Sequence, residues 1–118
     1  MGLGRIGVAV ARRGHFGFGM PVIFHDPVDF EPDHGIPGAR RVATVEELLE
    51  AADFVSLHMP GGGENTHLID TARLARMKPT AFLINSARGD VVDTDALVKA
   101  LQSGTIAGAG LDVYESEP

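Results

Sequence analysis

The chain has no cysteine, no tryptophan and a single tyrosine. Without cysteine it can form neither a disulfide nor a thiolate metal site. No histidine pair has the i, i+4 spacing of a helical ligand set, so no metal site is expected. There is no run of 18 apolar residues, the length a membrane-crossing helix needs. Positive charge is scarce, with 10 Lys and Arg against 16 Asp and Glu and a net charge of −6. An acidic chain without a Lys/Arg cluster is a poor match for nucleic acid or an anionic membrane. The N-terminus lacks the layout of a signal peptide, and a cytoplasmic location is the expectation.

What is present is ordinary for a folded domain. The 118 residues are 44% hydrophobic and 22% charged. That length suits one domain with a real core and is too short for two. Apolar runs alternate with helical patterns at spacings fit for right-handed crossovers, the pattern of a parallel doubly wound α/β sheet.

Residues 2–7 read Gly2-Leu3-Gly4-Arg5-Ile6-Gly7, a G-x-G-x-x-G. Alone this is a weak signal, and context decides it. A helix is expected to follow, with an apolar start at Ile6, Val8, Ala9, Val10 and Ala11 and a stop at Arg12-Arg13-Gly14. Val22 to Asp26 reads as a strand, and its terminal acid stands 19 residues after Gly7. In a dinucleotide fingerprint Gly2 makes the turn and Gly4 admits a pyrophosphate to the backbone. Gly7 lets the helix approach the sheet, and Asp26 takes the ribose hydroxyls. A carboxylate there repels a 2′-phosphate, which favours NAD over NADP. A glycine-rich turn followed by an Asp-Pro turn is the plainer alternative. Only Met1 precedes the glycines, so the strand that should lead into them is missing.

Pro27 to Arg40 reads as a long loop holding Pro32 and Pro37, without nameable chemistry. A short strand at Arg41-Val42-Ala43 follows. Thr44 and Glu47 have the spacing of a capping box ahead of a helix with Val45, Leu48, Leu49 and Ala52 on its apolar face. Phe54 to Met59 is a strand stopped by Pro60 and three glycines. The loop Pro60 to Thr66 either covers a cofactor or is simply flexible. Thr71 to Met77 reads as a short helix.

Ala81 to Ile84 reads as a buried parallel strand, apolar on both faces because helices cover both. It turns polar at Asn85, and ligands of open α/β sheets bind outside such carboxyl ends. Arg88 then stands at the rim of a cleft, with a planar fork suited to a carboxylate. A loop arginine paired with Asp90 or Asp93 is the simpler reading of that stretch alone. A helix starting at Thr94 or Asp95 carries Ala96, Leu97, Val98 and Leu101 inward and stops at Ser103-Gly104. Ile106 to Val113 is the last strand.

Five elements, in order, resemble the D-isomer-specific 2-hydroxyacid dehydrogenase family. They are Gly2 to Gly7, Leu57-His58-Met59-Pro60 with Thr66, Met77-Lys78-Pro79, Asn85-Ser86-Ala87-Arg88-Gly89, and Gly110-Leu111-Asp112-Val113-Tyr114 with Glu117-Pro118. The likeness runs over the whole chain and is nearest to glyoxylate and hydroxypyruvate reductases. It implies a Rossmann-like domain that lacks its first central strand, spans residues 1–118 and is without a substrate domain. It implies NADH as hydride donor to a small 2-oxo acid, and a homodimer. Arg88 is similar to the arginine that holds the substrate carboxylate and carbonyl. Glu117 is similar to the glutamate that pairs with a catalytic histidine. Gly2, Gly4, Arg5, Ile6, Gly7 and Asp26 correspond to pyrophosphate and ribose contacts. His58, Pro60, Thr66, Ala87, Arg88 and Asp112 correspond to positions beside the cofactor. The family's Pro-His element, the proton source, would lie beyond residue 118, so the 118 residues alone are expected to be inactive. A non-catalytic NAD-binding or dimerising module, as in corepressor-like relatives, is the alternative, and a gene fragment is another. The strands at Val22 and Phe54 would pair with each other, or be bridged by a partner, or belong to a longer protein.

Overall fold

A computed structural model of the protein describes residues 1–28 and 34–117. Pro32 of the expected loop, and Pro118 of the Glu117-Pro118 element, lie outside the described residues. The order of elements is α1 (Arg5–Phe18), β1 (Ile23–Phe24), β2 (Arg40–Arg41), α2 (Val45–Ala51), β3 (Phe54–Leu57), α3 (Thr71–Leu74), β4 (Phe82–Asn85), α4 (Thr94–Ser103) and β5 (Gly108–Leu111). All strand pairs are parallel. β1 lies beside β2, and β4 lies between β3 and β5. The architecture is the expected α/β Rossmann-like one.

β1 and β3 do not pair with each other, which removes the first of the three options for their facing edges. Met1 and Gly2 stand between them. The Met1 amino group donates to the Ser56 carbonyl at 2.8 Å, and the His58 N–H donates to the Met1 carbonyl at 2.8 Å. On the other side the Gly2 N–H donates to the His25 carbonyl at 2.9 Å. Two residues therefore link the two sheets, with hydrogen bonds of parallel-strand type on both sides.

The core lies between the three-stranded sheet and α2, α3 and α4. Leu49, Leu57, Ile69, Leu74, Leu83 and Ile106 are fully buried in it. Alternation along β3 and β4 sends Val55, Leu57, Leu83 and Asn85 to that side. The opposite face differs from expectation. Phe54 and Phe82 are 56% and 39% exposed and stack on one another, with ring centroids 5.6 Å apart. Helices cover one face of these strands, so β4 is not buried on both.

The helix ends follow their caps. Thr44 Oγ1 accepts the Glu47 N–H at 3.1 Å, while the Glu47 carboxylate reaches back to the Ala43 N–H at 3.2 Å, one residue before the expected amide. Asp93 caps α4 through the Ala96 N–H, and Gly104 ends it at φ +73°. α1 passes through Gly14 and ends at Gly19, where φ is +68° and the Gly19 and Met20 amides close onto His15 and Gly14. A helix tolerates one glycine at about 1 kcal/mol, whereas the left-handed turn that stops it needs one. In α4 the buried stripe is Ala96, Leu97 and Ala100, so Val98 and Leu101 face outward at 46% and 40% exposure, contrary to expectation. β2 is Arg40–Arg41 rather than 41–43. α3 stops at Leu74, and β5 holds only the middle of the expected strand.

Leu83→Ala is expected to cost about 2–5 kcal/mol in urea denaturation, because it opens a cavity in the core. Val98→Ala should change stability by no more than about 0.5 kcal/mol. Equal losses at the two positions would contradict the assigned core face.

Candidate functional site

The turn before α1 is built on two glycines that nothing larger can replace. Gly2 has φ +83°, and a Cβ there would stand 2.4 Å from the His58 carbonyl oxygen. A Cβ on Gly7 would stand 2.1 Å from the Gly2 carbonyl oxygen, so the first turn of α1 packs directly on the preceding backbone. Gly4 is different. A Cβ there would meet no protein atom within 4 Å. The chain itself does not require glycine at that position, and the space beside it is open to an approaching group. α1 starts at Gly4 with no side-chain cap and no acid in its first turn. Its first amides lack partners within the helix, and they carry the positive end of a 14-residue dipole.

Asp26 follows β1 and is fastened to the same turn. Its Oδ2 accepts the Leu3 N–H at 2.8 Å, and its Oδ1 accepts the Val28 N–H at 2.9 Å. Each carboxylate oxygen keeps acceptor capacity after one such bond. Arg41 crosses from the end of β2 and donates to the Asp26 and Val28 carbonyls. A cation beside Asp26 is thus supplied from 15 residues downstream.

The second half of the site begins at the carboxyl end of β4. Asn85 is the one buried polar side chain among the described residues, and both ends of its carboxamide are used. Its oxygen accepts the Ala87 N–H at 3.1 Å, and its nitrogen donates to the Arg88 carbonyl at 3.0 Å. The loop is folded around this one side chain. Arg88 is exposed, donates to the Ala87 carbonyl at 2.7 Å, and forms no ion pair among the described residues. The simpler reading, pairing with Asp90 or Asp93, does not hold. Gly89 makes room for the segment after β5: a Cβ there would lie 2.1 Å from the backbone of Tyr114. The Asp112 N–H donates to the Asn85 carbonyl at 3.0 Å, so Arg88 and the 111–115 segment are joined at one corner.

Residues 1–118 match the family described as D-isomer specific 2-hydroxyacid dehydrogenase, NAD binding domain. The chain belongs to that family. It is 52% identical over 121 residues to a glyoxylate reductase of Korarchaeum cryptofilum, covering 100% of this chain and 35% of that relative. It superposes on D-mandelate dehydrogenase from Rhodotorula graminis with a TM-score of 0.94 at 42% identity, covering 99% of this chain and 34% of the other. An NADPH-dependent glyoxylate/hydroxypyruvate reductase from Sinorhizobium meliloti, solved with NADP and malonate, gives 0.91 at 42% identity, over 100% of this chain and 35% of that one. The chain therefore spans about a third of the length of the relatives it matches.

Within this dehydrogenase domain the expected residues fall into two groups. Gly2, Gly4, Arg5, Ile6, Gly7 and Asp26 share the turn and first helical turn at α1. Ala87, Arg88 and Asp112 share the corner at β4. His58 joins the first group: its Cβ lies beside Gly7, and its Nε2 is 2.7 Å from Ser56 Oγ. Burial, with the nearby Met1 ammonium as a lesser cause, pushes its pKa below the ordinary value. A half-buried neutral histidine bonded to Ser56 is a packing group rather than a proton source. Pro60 and Thr66 are exposed on the intervening loop. That loop is anchored rather than free, because Asp90 accepts the Gly62 N–H at 2.8 Å and leaves no space for a side chain on Gly61. Glu117 is held in a turn of its own, accepting the Tyr114 N–H at 2.8 Å, with no bond to Arg88.

Sequence reasoning weighs Asp90 only as a partner of Arg88 and gives Arg41 and Glu115 no role in the site. Glu115 accepts the Thr94 N–H at 3.2 Å and pairs with His67, whose Nδ1 lies 3.9 Å from Asp93. For Asp90 and Glu115 the only local signal is an acid beside a motif, and Arg41 carries none, because each partner lies far away in the chain.

The pairing with His67 and the Thr94 amide lowers the Glu115 pKa to about 2, and the Glu115 carboxylate raises that of His67. Glu115 contributes stability above its ordinary 4.5 and loses it as pH falls toward 2. His67 contributes below its ordinary 6.5 and loses its share as pH rises through the raised value. Thermal melts should show the difference between the wild type and His67→Ala to be largest between pH 4.5 and 6.5. A pH-independent difference would refute the pairing.

Proposed function

We propose that residues 1–118 are an incomplete cofactor domain of a reductase. NADH is its hydride donor, and a small 2-oxo acid of the glyoxylate or hydroxypyruvate class is its substrate, giving the D-2-hydroxy acid. The carrying observation is Arg88: a cation without a carboxylate partner among the described residues, held by Asn85 at the carboxyl end of β4. A guanidinium so placed can take a substrate carboxylate bidentately and stabilise negative charge building on the reacting oxygen.

The cofactor cradle fits the same reading. An uncapped helix start without acids suits a pyrophosphate, and Gly4 has room for its approach. Arg5 and Ile6 offer their amides, and Gly2 and Gly7 keep the turn tight. Asp26 accepts the adenosine ribose hydroxyls with its remaining lone pairs, which favours NAD. Pro60, Thr66, His58, Ala87 and Asp112 lie along the nicotinamide end. When bound, the reduced nicotinamide supplies the hydride. Glu117 serves as the acid partner of a histidine outside these residues, and the substrate-selecting domain is likewise outside them. The exposed Ile6, Val10, Phe16 and Phe18 of α1 support a homodimer formed through this domain. A cytoplasmic location belongs to the same reading.

Fluorescence titration should show saturable NADH binding, weakened about tenfold or more by Asp26→Ala, which removes hydrogen bonds to a charged acceptor. In the translated product of the complete reading frame, Arg88→Gln should lower kcat/KM for glyoxylate about 10²–10³-fold, as loss of a charge-stabilising donor does. NADH binding unaffected by Asp26→Ala would overturn the cradle. Full activity of Arg88→Gln would overturn the substrate anchor.

A further inference from the structure

Loop 60–67, the turn after Arg88 and the segment after β5 meet in one small cluster of charge. Asp90 holds the loop at two places. Its carboxylate accepts the Gly62 N–H at 2.8 Å, and its carbonyl accepts the His67 N–H at 2.7 Å. Beyond it the Ile69 N–H donates to the Val91 carbonyl at 3.0 Å, and the Asp93 N–H to the Ile69 carbonyl at 3.0 Å. So fastened, His67 has φ +52°. That left-handed conformation is strained for a residue with a side chain and persists only where its surroundings hold it. From there its ring bonds Glu115, three residues past Asp112 and two before Glu117.

Glu115 has two tasks, one for each oxygen. Its Oε2 accepts the Thr94 N–H at 3.2 Å, at the start of α4, where the helix dipole favours an acid. Its Oε1 takes His67. Among the described residues Glu115 is the last side chain of the 111–117 segment bonded to another part of the fold, because Glu117 bonds the Tyr114 N–H of its own turn. The segment is thus pinned at one end by the Asp112 N–H on the Asn85 carbonyl and at the other by Glu115. The charged groups acting on His67 are all acids: Glu115, Asp93 at 3.9 Å, and Asp90. The hydrogen bond to Glu115, with these charges behind it, raises the imidazole pKa above its ordinary value.

We propose that His67 is a positioning residue for the reduction: with Glu115 it clasps the 112–117 segment to loop 60–67, and so fixes Asp112 and Glu117 relative to Arg88, Pro60 and Thr66. The role rests on the reductase reading given above. Neither member of the clasp acts on the substrate directly. Arg88, positioned by Asn85, holds the substrate carboxylate, and the turn at α1 holds the pyrophosphate, so both binding steps survive loss of the clasp. What moves is Glu117, and with it the orientation of the histidine it serves. A displaced acid pair slows the chemical step without weakening binding, because its geometry matters most in the transition state. The clasp is strongest with His67 charged and slackens as pH rises through the raised pKa.

The test measures glyoxylate reduction by the translated product of the complete reading frame at about pH 6 and about pH 9, on either side of the histidine range. At the lower pH, His67→Gln and Glu115→Gln should each reduce kcat about tenfold. KM for NADH and for glyoxylate should stay within about twofold of the wild type. Gln at position 115 keeps an oxygen for the Thr94 N–H, so its effect reports the charge pair rather than the helix cap. The double variant should lose no more than either single one, since both open the same contact. At the higher pH the ratio of wild type to His67→Gln should shrink toward unity. His67→Lys, which keeps its charge, should match the wild type at the lower pH and exceed it at the higher. Glu50→Gln breaks a surface pair with Arg76 and, as the control, should change nothing. Unchanged kcat in both Gln variants, a loss equal at the two pH values, or a loss confined to KM would overturn the clasp. A wild type that reduces no small 2-oxo acid would overturn the reductase reading itself, and the role of His67 with it.

Discussion

The structure depends on a three-residue hinge of backbone hydrogen bonds at its N-terminus. Met1 bonds β3, Gly2 bonds the residue after β1, and Leu3 bonds the Asp26 carboxylate. The main-chain bonds cannot be replaced by side chains, and the turn that makes them possible needs φ +83° at Gly2. Through this segment the pair β1–β2 is oriented against the sheet that carries Arg88. The same segment sets the start of α1 and the direction of Asp26. Cofactor cradle and sheet geometry are therefore one constraint, not two.

A second constraint works at the other end of the site. Asn85 is buried and bonded at both ends of its carboxamide, and it shapes the loop that exposes Arg88. Burying a carboxamide is costly unless its donors and acceptors are met, and here the loop itself meets them. Among the described residues the cation has no acidic partner, and three nearby acids are engaged elsewhere. Asp90 holds the Gly62 amide, Asp93 caps α4, and Glu115 holds His67 and the Thr94 amide. Around the arginine, negative charge is directed to structural tasks and away from the guanidinium.

Much of this was legible in the sequence where the information is local. The spacing of Gly2, Gly7 and Asp26 announced the turn and the acid that closes on it. Thr44 with Glu47 announced a capped helix, and the polar end of β4 announced the Asn85 loop. What could not be read was long-range. Gly14 looks like a helix stop, but the stop is set by which glycine can turn left-handed onto the preceding carbonyls, and that is Gly19. Val98 and Leu101 are apolar and helically spaced, yet the buried face belongs to Ala96, Leu97 and Ala100. Phe54 and Phe82 look like core and are a stacked pair on an open face. Asp90, Arg41 and Glu115 find their partners 15 to 48 residues away, beyond the reach of any motif.

The glycine beside Arg88 has a bearing on the order in which the molecule assembles. Gly89 is small because Tyr114 crosses it, and the Asn85 carbonyl is satisfied by Asp112. The arginine loop is thus completed by chain that comes about 25 residues later and that arrives only when β5 has paired with β4. Contacts of that separation carry a loop-closure cost. A chain emerging from synthesis can hold β3, β4 and their helices before it has a finished substrate corner. The arginine comes under geometric control once Asp112 and Tyr114 are in place.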